Sequence, residues 1–327
     1  MSDAIPSSTP STRSRPGGGA VIWHYARQAG VLAALILLVV VSSFLNDRFL
    51  SLPNLMNVLR QVSIVGILAV GMTFVILTKG IDLSVGSILG VSVVLFAGLM
   101  ESLGMAVSIA LGLLAAMALG LTNGLGVAFA GVPPFIMTLG MLSFARGLAF
   151  IYTGGTPVPI LDERFYELGN GYSFGVPNPT LIFLAVLLIS GFVLALTPFG
   201  RSVYAIGSNE DASRLSGVPV SLYKTIVYVI SGGVAGVAGL VYASQLSVGT
   251  PIAGQAYELD AIAAVVVGGT SLFGGRGSVA GTLIGTLIIG VLANILNLTG
   301  VDPFVQQLFK GALIVIAVMI MARSSRA

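Results

Sequence analysis

The sequence predicts an all-α polytopic membrane protein with about ten transmembrane helices, some of them short or re-entrant, and with both termini in the cytoplasm. Only 8% of the 327 residues are charged, while 56% are hydrophobic and the mean hydropathy is +1.02. An average soluble domain carries about 25% charged residues, so this composition excludes a soluble enzyme. The apolar residues are also grouped into runs close to the roughly 20 residues that a helix needs to cross a bilayer.

Ten apolar segments follow one another along the chain. The third is short, and the eighth is too short for an ordinary crossing, so a re-entrant eighth segment stays open as an alternative. The predicted spans are residues 29–45, 62–78, 87–100, 105–129, 134–152, 180–196, 225–244, 261–269, 279–296 and 304–321.

Charge placement predicts the orientation, because basic residues concentrate on the cytoplasmic side of a membrane. Residues 1–28 read as a disordered basic cytoplasmic tail, and ten crossings then also place the basic tail 323–327 inside. The transmembrane domain covers 29–322 and carries a cytoplasmic loop at about 199–224. The net charge of +3 is too small to suggest nucleic-acid binding.

Metal and thiol chemistry have few residues to draw on. The chain has no cysteine and a single histidine, His24. This excludes disulfides, thiolate metal sites and a histidine-rich metal cluster. We expect no metal, no cofactor and no catalytic residues.

The segment 79–87 separates two apolar runs by a few residues only. Asp82 or Ser84 can cap the following helix by accepting its free backbone N–H groups. Gly80 can supply a backbone angle that other residues resist. The segment therefore predicts a capped turn.

The glycine-rich segment 268–278 lacks the lysine of the phosphate-binding pattern G-x-x-x-x-G-K-[ST]. We expect a flexible cytoplasmic connection there and not a nucleotide site.

A short helix is predicted in the cytoplasmic loop. Ser208 is the candidate N-cap, Asp211 completes a box-like pair with it, and Gly217 followed by Pro219 ends the helix. Two turns are too short to be stable alone in water, so the rest of the protein or a partner must hold them.

Polar residues inside the predicted spans have two interpretations. Asn123, Asn294 and Asn297 either bond neighbouring helices or line a polar path, and Asn294 and Asn297 share a helix face. Arg146 is expected to snorkel to the membrane interface. The candidate pathway or gating residues are Asp82, Asn123, Thr138, Asn294 and Asn297.

Six segments in order resemble the permease subunits of ATP-binding-cassette (ABC) importers for ribose, xylose, arabinose and related sugars. The resemblance covers roughly residues 30–322, with Lys79 standing where that family more often has glycine. The matching stretches are 78–87, 132–141, 145–147, 152–155, 200–218 and 267–278.

The resemblance implies a subunit of the bacterial inner (plasma) membrane that forms a translocation path for a monosaccharide or similar small polar solute and has no ATPase site of its own. Its implied partners are a cytoplasmic ATP-binding subunit, a periplasmic solute-binding protein, a second permease copy or homologue, and membrane lipid. The helix at about 209–216 would couple to the ATPase, with Ala212 and Leu215 as its buried face. The candidate coupling residues are Glu210, Asp211, Ala212, Arg214, Leu215 and Gly217.

Two alternatives remain. A permease for branched-chain amino acids or an autoinducer shares the superfamily, although an amino acid would favour paired opposite charges at depth. An ion-coupled secondary transporter should carry acids in the middle of its spans. Here Asp82, Glu101 and Glu258 are predicted near span ends.

Overall fold

The computed structural model describes residues 18–302, of which 18–28 by their backbone only, and then residues 304–309, 311, 312, 315 and 319. Within this part of the chain the fold is almost entirely helical, as predicted. Sheet is limited to two pairs of two-residue strands. The helices are α1 Gly18–Leu45, α2 Leu52–Leu77, α3 Val85–Leu103, α4 Met105–Ala128, α5 Pro134–Thr153, α6 Glu163–Asn170, α7 Asn178–Leu196, α8 Pro198–Ser208, α9 Glu210–Leu215, α10 Val220–Leu246, α11 Tyr257–Val267 and α12 Val279–Leu298. The strands are β1 Val158–Pro159, β2 Tyr172–Ser173, β3 Val176–Pro177 and β4 Val248–Gly249.

The helix boundaries differ from the predicted spans mainly at the amino-terminal side. Helix α1 begins at Gly18 and not at residue 29, so residues 18–28 of the predicted disordered tail are helical. Helix α2 begins at Leu52, ten residues before the predicted start, because Pro53 at its first turn fits a helix N-terminus. Of the predicted tenth span, the described residues are helical, and the rest lies outside the described part.

Seven of the described helices are long and apolar enough to cross a membrane: α2, α3, α4, α5, α7, α10 and α12. The apolar part of α1, Ala29–Leu45, is shorter. The protein is therefore an all-α polytopic membrane protein, as the composition predicts.

Helix α2 lies at the centre of the fold. It packs against α10, α11, α12 and α7, and the stretch from Ile67 to Leu77 is almost completely buried. Helices α3 and α4 pack on α10, while α5 lies against α3 and α4 at the periphery. The exposed faces of α1, α4, α5 and α7 are rich in large apolar side chains, as expected of a surface that meets lipid.

Glycines bring the central backbones into direct contact, as the small-residue spacing predicts. A Cβ at Gly120 of α4 or at Gly232 of α10 would overlap the backbone of the other helix. Gly281 and Gly285 of α12 likewise pack on the carbonyls of Gly268 and Ala264. The high glycine content is therefore used for close helix packing.

The connections between helices gather into two groups at opposite ends of the helices. At one end, the Gly275 N–H donates to the Leu77 carbonyl at 2.9 Å and the Tyr204 hydroxyl donates to the Gly277 carbonyl at 2.9 Å. At the other end, β1 pairs with β4, and the Asn170 amide donates to the Ser244 carbonyl at 3.0 Å. The first group joins segments predicted to be cytoplasmic and the second joins segments predicted to be outside.

The chain between α10 and α12 is irregular in its first part and helical in its second. Its irregular part runs beside α3: Gly249 packs on Ala97, and Gly254 packs on Gly86. Gly86 and Ala97 are about 16 Å apart along a helix that rises 1.5 Å per residue. Helix α11, with 11 residues, adds a similar length towards the first group of loops. The short segment predicted as the eighth span corresponds to α11, and irregular chain precedes it.

We predict that Gly120→Ala destabilises the fold by roughly 1–3 kcal/mol, because the new methyl group overlaps the Tyr228 carbonyl on α10. The melting temperature in detergent measures this. The control is Gly191→Ala in α7, where nothing lies within 4 Å of the new Cβ. A Gly120→Ala protein that melts no lower than the control would contradict the packing described here.

Candidate functional site: a coupling helix on a fixed base

The predicted short cytoplasmic helix is present as α9, and it follows α8 after a single residue. Its N-cap is Asn209, whose side-chain oxygen accepts from the Ala212 N–H at 3.0 Å. The prediction of Ser208 as N-cap is wrong, because Ser208 completes α8 and its hydroxyl donates back to the Tyr204 carbonyl. Both residues are good caps, and the sequence alone does not tell which one the preceding helix uses.

Helix α9 presents most of its candidate coupling residues to solvent. Asp211, Ala212 and Arg214 are exposed, and Leu215 is 89% exposed. Ser213 is the buried residue of the helix, and its hydroxyl donates to the Asn209 carbonyl. Ala212 and Leu215, predicted to be the face that a partner buries, are therefore uncovered in the chain alone.

Glu210 ties α9 to the transmembrane helix that follows. Its carboxylate pairs with Lys224 of α10 and, at 3.3 Å, with Arg214 of α9. Partial burial opposes the charged form of Glu210, but the hydrogen bond and charge of Lys224, followed by those of Arg214, outweigh it and lower the pKa of Glu210. Glu210 is thus an anchor of α9 and also a candidate contact.

Gly217 ends the helix as predicted. Its φ of +83° lies in the left-handed region, and its N–H donates to the Arg214 carbonyl at 3.1 Å. Nothing lies within 4 Å of an added Cβ, so the backbone angle is what requires glycine here.

The C-terminal end of α8 packs against two other segments. We call this cluster the inner junction, and it consists of Leu77, Lys79, Gly207, Ser208, Gly274 and Gly275. The Gly275 N–H donates to the Leu77 carbonyl, and a Cβ at Gly207 would overlap both of these groups. A Cβ at Gly275 would meet the Ser208 backbone at 2.7 Å. The three irregular segments singled out in the sequence therefore meet at one place.

The turn at 79–84 differs in detail from the predicted one. The left-handed residue is Lys79, with φ of +64°, and not Gly80. Gly80 provides space instead, because a Cβ there would lie 2.6 Å from the Tyr228 hydroxyl. Lys79 thus occupies a conformation that suits glycine, which accounts for the glycine more often found at this position in the family that the sequence resembles.

Asp82 is completely buried and bridges this turn to α10. Its carboxylate accepts from the Ser84 N–H at 3.0 Å, the Ser84 hydroxyl at 2.6 Å and the Ser231 hydroxyl at 2.8 Å. Ser84 is the N-cap of α3, but its hydroxyl makes no capping bond, so the predicted cap by either side chain is wrong.

Asn123 and Thr138 join the same network. The Asn123 amide of α4 donates to the Ser84 hydroxyl at 2.8 Å, and the Thr138 hydroxyl of α5 donates to the Ile81 carbonyl at 3.1 Å. The candidate residues Asp82, Asn123 and Thr138 therefore meet around one turn and connect it to α4, α5 and α10.

Asn294 and Asn297 lie outside this network, and their environments differ from each other. Asn294 is buried and exchanges two hydrogen bonds with Asn54 of α2, at 2.9 and 3.0 Å. Of the two interpretations of this residue, the one in which it bonds a neighbouring helix is therefore the one observed. Asn297 is exposed and accepts from the Gln306 amide at 2.8 Å.

Comparison with known proteins places these features in a family. A family model described as the branched-chain amino acid transport system / permease component matches residues 54–318. The chain belongs to this permease family. The expectation of a transport permease is thereby confirmed, and with seven membrane-capable helices the permease is a multi-pass protein of the bacterial inner membrane.

Named relatives align over nearly their whole length. The permease is 48% identical over 302 residues to the ribose import permease protein RbsC of Bacillus subtilis, covering 91% of this chain and 94% of that protein. It is 44% identical to RbsC of Escherichia coli K12, covering 88% and 92%, and 39% identical to the L-arabinose transport system permease protein AraH of the same strain, covering 91% and 90%. No solved structure matches.

Arg146 is placed differently from the expectation. It does not snorkel: its Nη1 donates to the carbonyls of Pro251 and Ala253 at 2.6 and 2.7 Å, in the irregular segment between α10 and α11. Unsatisfied carbonyls inside a membrane are costly, and Arg146 satisfies two of them.

The sequence indicated the candidate site residues more often than the side chains that contact them. Ser231 and Lys224 give no local signal, since each meets an acid more than ten residues away through the fold. The glycines of the inner junction are visible as a glycine-rich loop, but their contact with Leu77 requires the tertiary structure.

We predict that Glu210→Gln raises the hydrogen-exchange rates of the amides of 212–217 by about 2- to 5-fold, the effect of losing a surface ion pair. Because the pKa of Glu210 is lowered in the fold, the same anchoring is present above the ordinary glutamate range near 4.3 and is lost as the pH falls through the lowered value. Mass spectrometry measures the exchange. The control is Asp211→Asn, which also removes one negative charge; an equal effect of both substitutions would contradict the anchoring by Lys224.

Proposed function

We propose that the permease is the membrane subunit of an ABC importer for a monosaccharide and is worked from the cytoplasm by a separate ATP-binding subunit. The observation that carries this is the exposure of α9 on a fixed base. Leu215, the last residue of α9, is 89% exposed. Glu210 anchors the first residue of α9 to α10, and the inner junction fixes the end of the preceding helix α8. A two-turn helix with an exposed leucine fits a groove on another protein.

The choice of a monosaccharide is supported by the relatives, which are named for ribose and L-arabinose at 39–48% identity. A branched-chain amino acid is the second candidate, because the family model carries that description. A periplasmic solute-binding protein would deliver the solute, and a second permease copy or homologue would complete the path.

The proposed topology has ten crossings and both termini inside. The unwound segment before α11 and α11 itself each cover about 16 Å, and together they match a hydrocarbon core of about 30 Å. The crossing between α10 and α12 then counts as the eighth, and the two groups of loops fall on opposite sides of the membrane.

Coupling is proposed to run from α9 through the inner junction. A displacement of α9 moves α8, and the closely packed backbones of Gly207, Leu77 and Gly275 pass this movement to α2 and to the α11–α12 loop. Asp82, Asn123 and Thr138 would act as gating residues by holding the 79–84 turn to α4, α5 and α10 during the change. ATP supplies the energy only if the ATPase binds the two states of the permease with different affinity.

Reconstitution tests the function. The permease is placed in lipid vesicles with the ATP-binding and solute-binding proteins of its gene neighbourhood, and uptake of radiolabelled ribose, arabinose and leucine is compared. We expect ATP-dependent uptake of a monosaccharide and no uphill transport by the permease alone. Uptake of leucine only would support the second candidate, and uphill uptake driven by an ion gradient alone would contradict the proposal.

We predict that Gly217→Val uncouples ATP hydrolysis from uptake, because a β-branched residue at φ of +83° distorts the end of α9. Uptake should fall by about tenfold or more, since strain of 1–3 kcal/mol is enough to displace the helix end. The control is Gly300→Val, a left-handed glycine with open space around it at the opposite end of the protein. Unchanged uptake and ATPase stimulation in Gly217→Val would argue against a coupling role.

A further inference from the structure

The irregular segment between α10 and α11 has an exposed side. Ile252 is 55% exposed, and Gln255 and Ala256 are exposed as well. The backbone bonds here are those of turns, such as the Gln255 N–H to the Ile252 carbonyl at 3.2 Å. Irregular backbone at membrane depth does not face lipid; it is buried in protein or lines a water-filled cavity. The exposed side of this segment therefore faces something other than lipid.

The lipid-facing surface looks different. In the middle of α7, apolar side chains are exposed, such as Leu188, which is 69% exposed, and Ile189, which is 64% exposed. The irregular segment instead exposes an amide, Gln255, which hydrocarbon does not solvate.

Two charged side chains lie beside the same segment. Arg146 is half-buried and reaches it from α5, and Glu258 follows it in the first turn of α11. The Glu258 carboxylate lies over Gly86, where its Oε2 is 2.5 Å from the position of an added Cβ. Glu258 is therefore at the level of the first turn of α3.

Aromatic rings flank these groups. Tyr242 of α10 and Tyr257 of α11 pack edge to face with centroids 6.1 Å apart. Amide, carboxylate and aromatic groups together suit a neutral solute that has several hydroxyl groups and an apolar ring face.

We propose that this surface, formed by 250–258 and Arg146, is the wall of the solute path, which rests on the proposed transport function. Glu258 and Gln255 contact a neutral, hydroxyl-rich solute, and Arg146 is a positioning residue that holds the segment by two of its carbonyls. Within this wall Gly254 and Ala256 have left-handed backbone, with φ of 70° and 67°, as has Ser247 before it, with φ of 51°.

The chain has no cysteine, so an introduced thiol is unique. We compare Gln255→Cys with Leu188→Cys, the lipid-facing control, and with Ala264→Cys, which is completely buried. Each variant in lipid vesicles is treated with a small charged methanethiosulfonate, which reacts with the thiolate formed in water. We expect Gln255→Cys to react at least tenfold faster than both controls.

Reaction of Gln255→Cys at the rate of Leu188→Cys would overturn the proposal, and so would cross-linking between copies at residue 255 without labelling, which marks a closed seam between permeases. The labelling needs no transport, so its outcome is separate from that of the proposed function. Fast labelling without ATP-driven uptake would leave the water-lined wall in place and contradict the importer. ATP-driven uptake together with an unreactive cysteine at residue 255 would support the importer and contradict the water-lined wall.

The contact by Glu258 is measured by uptake. Glu258→Gln keeps the shape of the side chain and removes the charged acceptor, so the initial rate of monosaccharide uptake should fall about tenfold, as for a lost hydrogen bond to a charged group. The control is Glu101→Gln, an exposed acid near the outer end of α3, which should transport normally. Equal uptake by both variants would remove Glu258 from the path.

Discussion

The fold depends on the rule that backbone polar groups inside a membrane must find partners within the protein. In the described part of the chain, two segments that interrupt the helices are each bonded by a polar side chain. Asp82 accepts from the Ser84 N–H in the turn between α2 and α3, and Arg146 donates to the Pro251 and Ala253 carbonyls before α11. Asp82 accepts a hydrogen bond from a backbone N–H group, and Arg146 donates hydrogen bonds to backbone carbonyls. Each side chain therefore stabilises irregular backbone.

The need to pair backbone groups accounts for two of the few charged residues of the membrane domain, Asp82 and Arg146. An ion-coupled transporter also carries acids at depth, and Asp82 is deeper than its sequence position suggests. Its carboxylate, however, already accepts three hydrogen bonds from Ser84 and Ser231. The buried acid therefore has a role in the fold that requires no transported ion.

The sequence predicted the class of the fold, the positions of most helices and the short helix α9, because these follow from apolar run length and local capping chemistry. It predicted a short apolar segment at 261–269 but not the irregular chain that precedes α11, because no local pattern shows that Arg146 of α5 satisfies the carbonyls there. It also predicted the glycine that ends the α9 segment, Gly217. The pairing of Glu210 with Lys224 and the reciprocal bonds of Asn294 with Asn54 depend on tertiary contacts that a single sequence does not contain.

The inner junction and the proposed path wall are connected by one rigid element. The Tyr204 hydroxyl and the Gly275 backbone bind α8 to the loop that follows α11, and α11 extends from that loop for about 16 Å to Ala256. Helix α11 lies against α12 through Gly281 and Gly285 without intervening side chains, a contact that allows sliding along the helix axis. At its far end, left-handed residues at 254 and 256 separate it from the segment held by Arg146. A displacement of α9 would therefore reach residues 254–256 as a movement of α11, while Arg146 keeps the preceding carbonyls on α5. On this view the irregular segment before α11 is needed, because a continuous helix there would move as one body and would leave the wall unchanged.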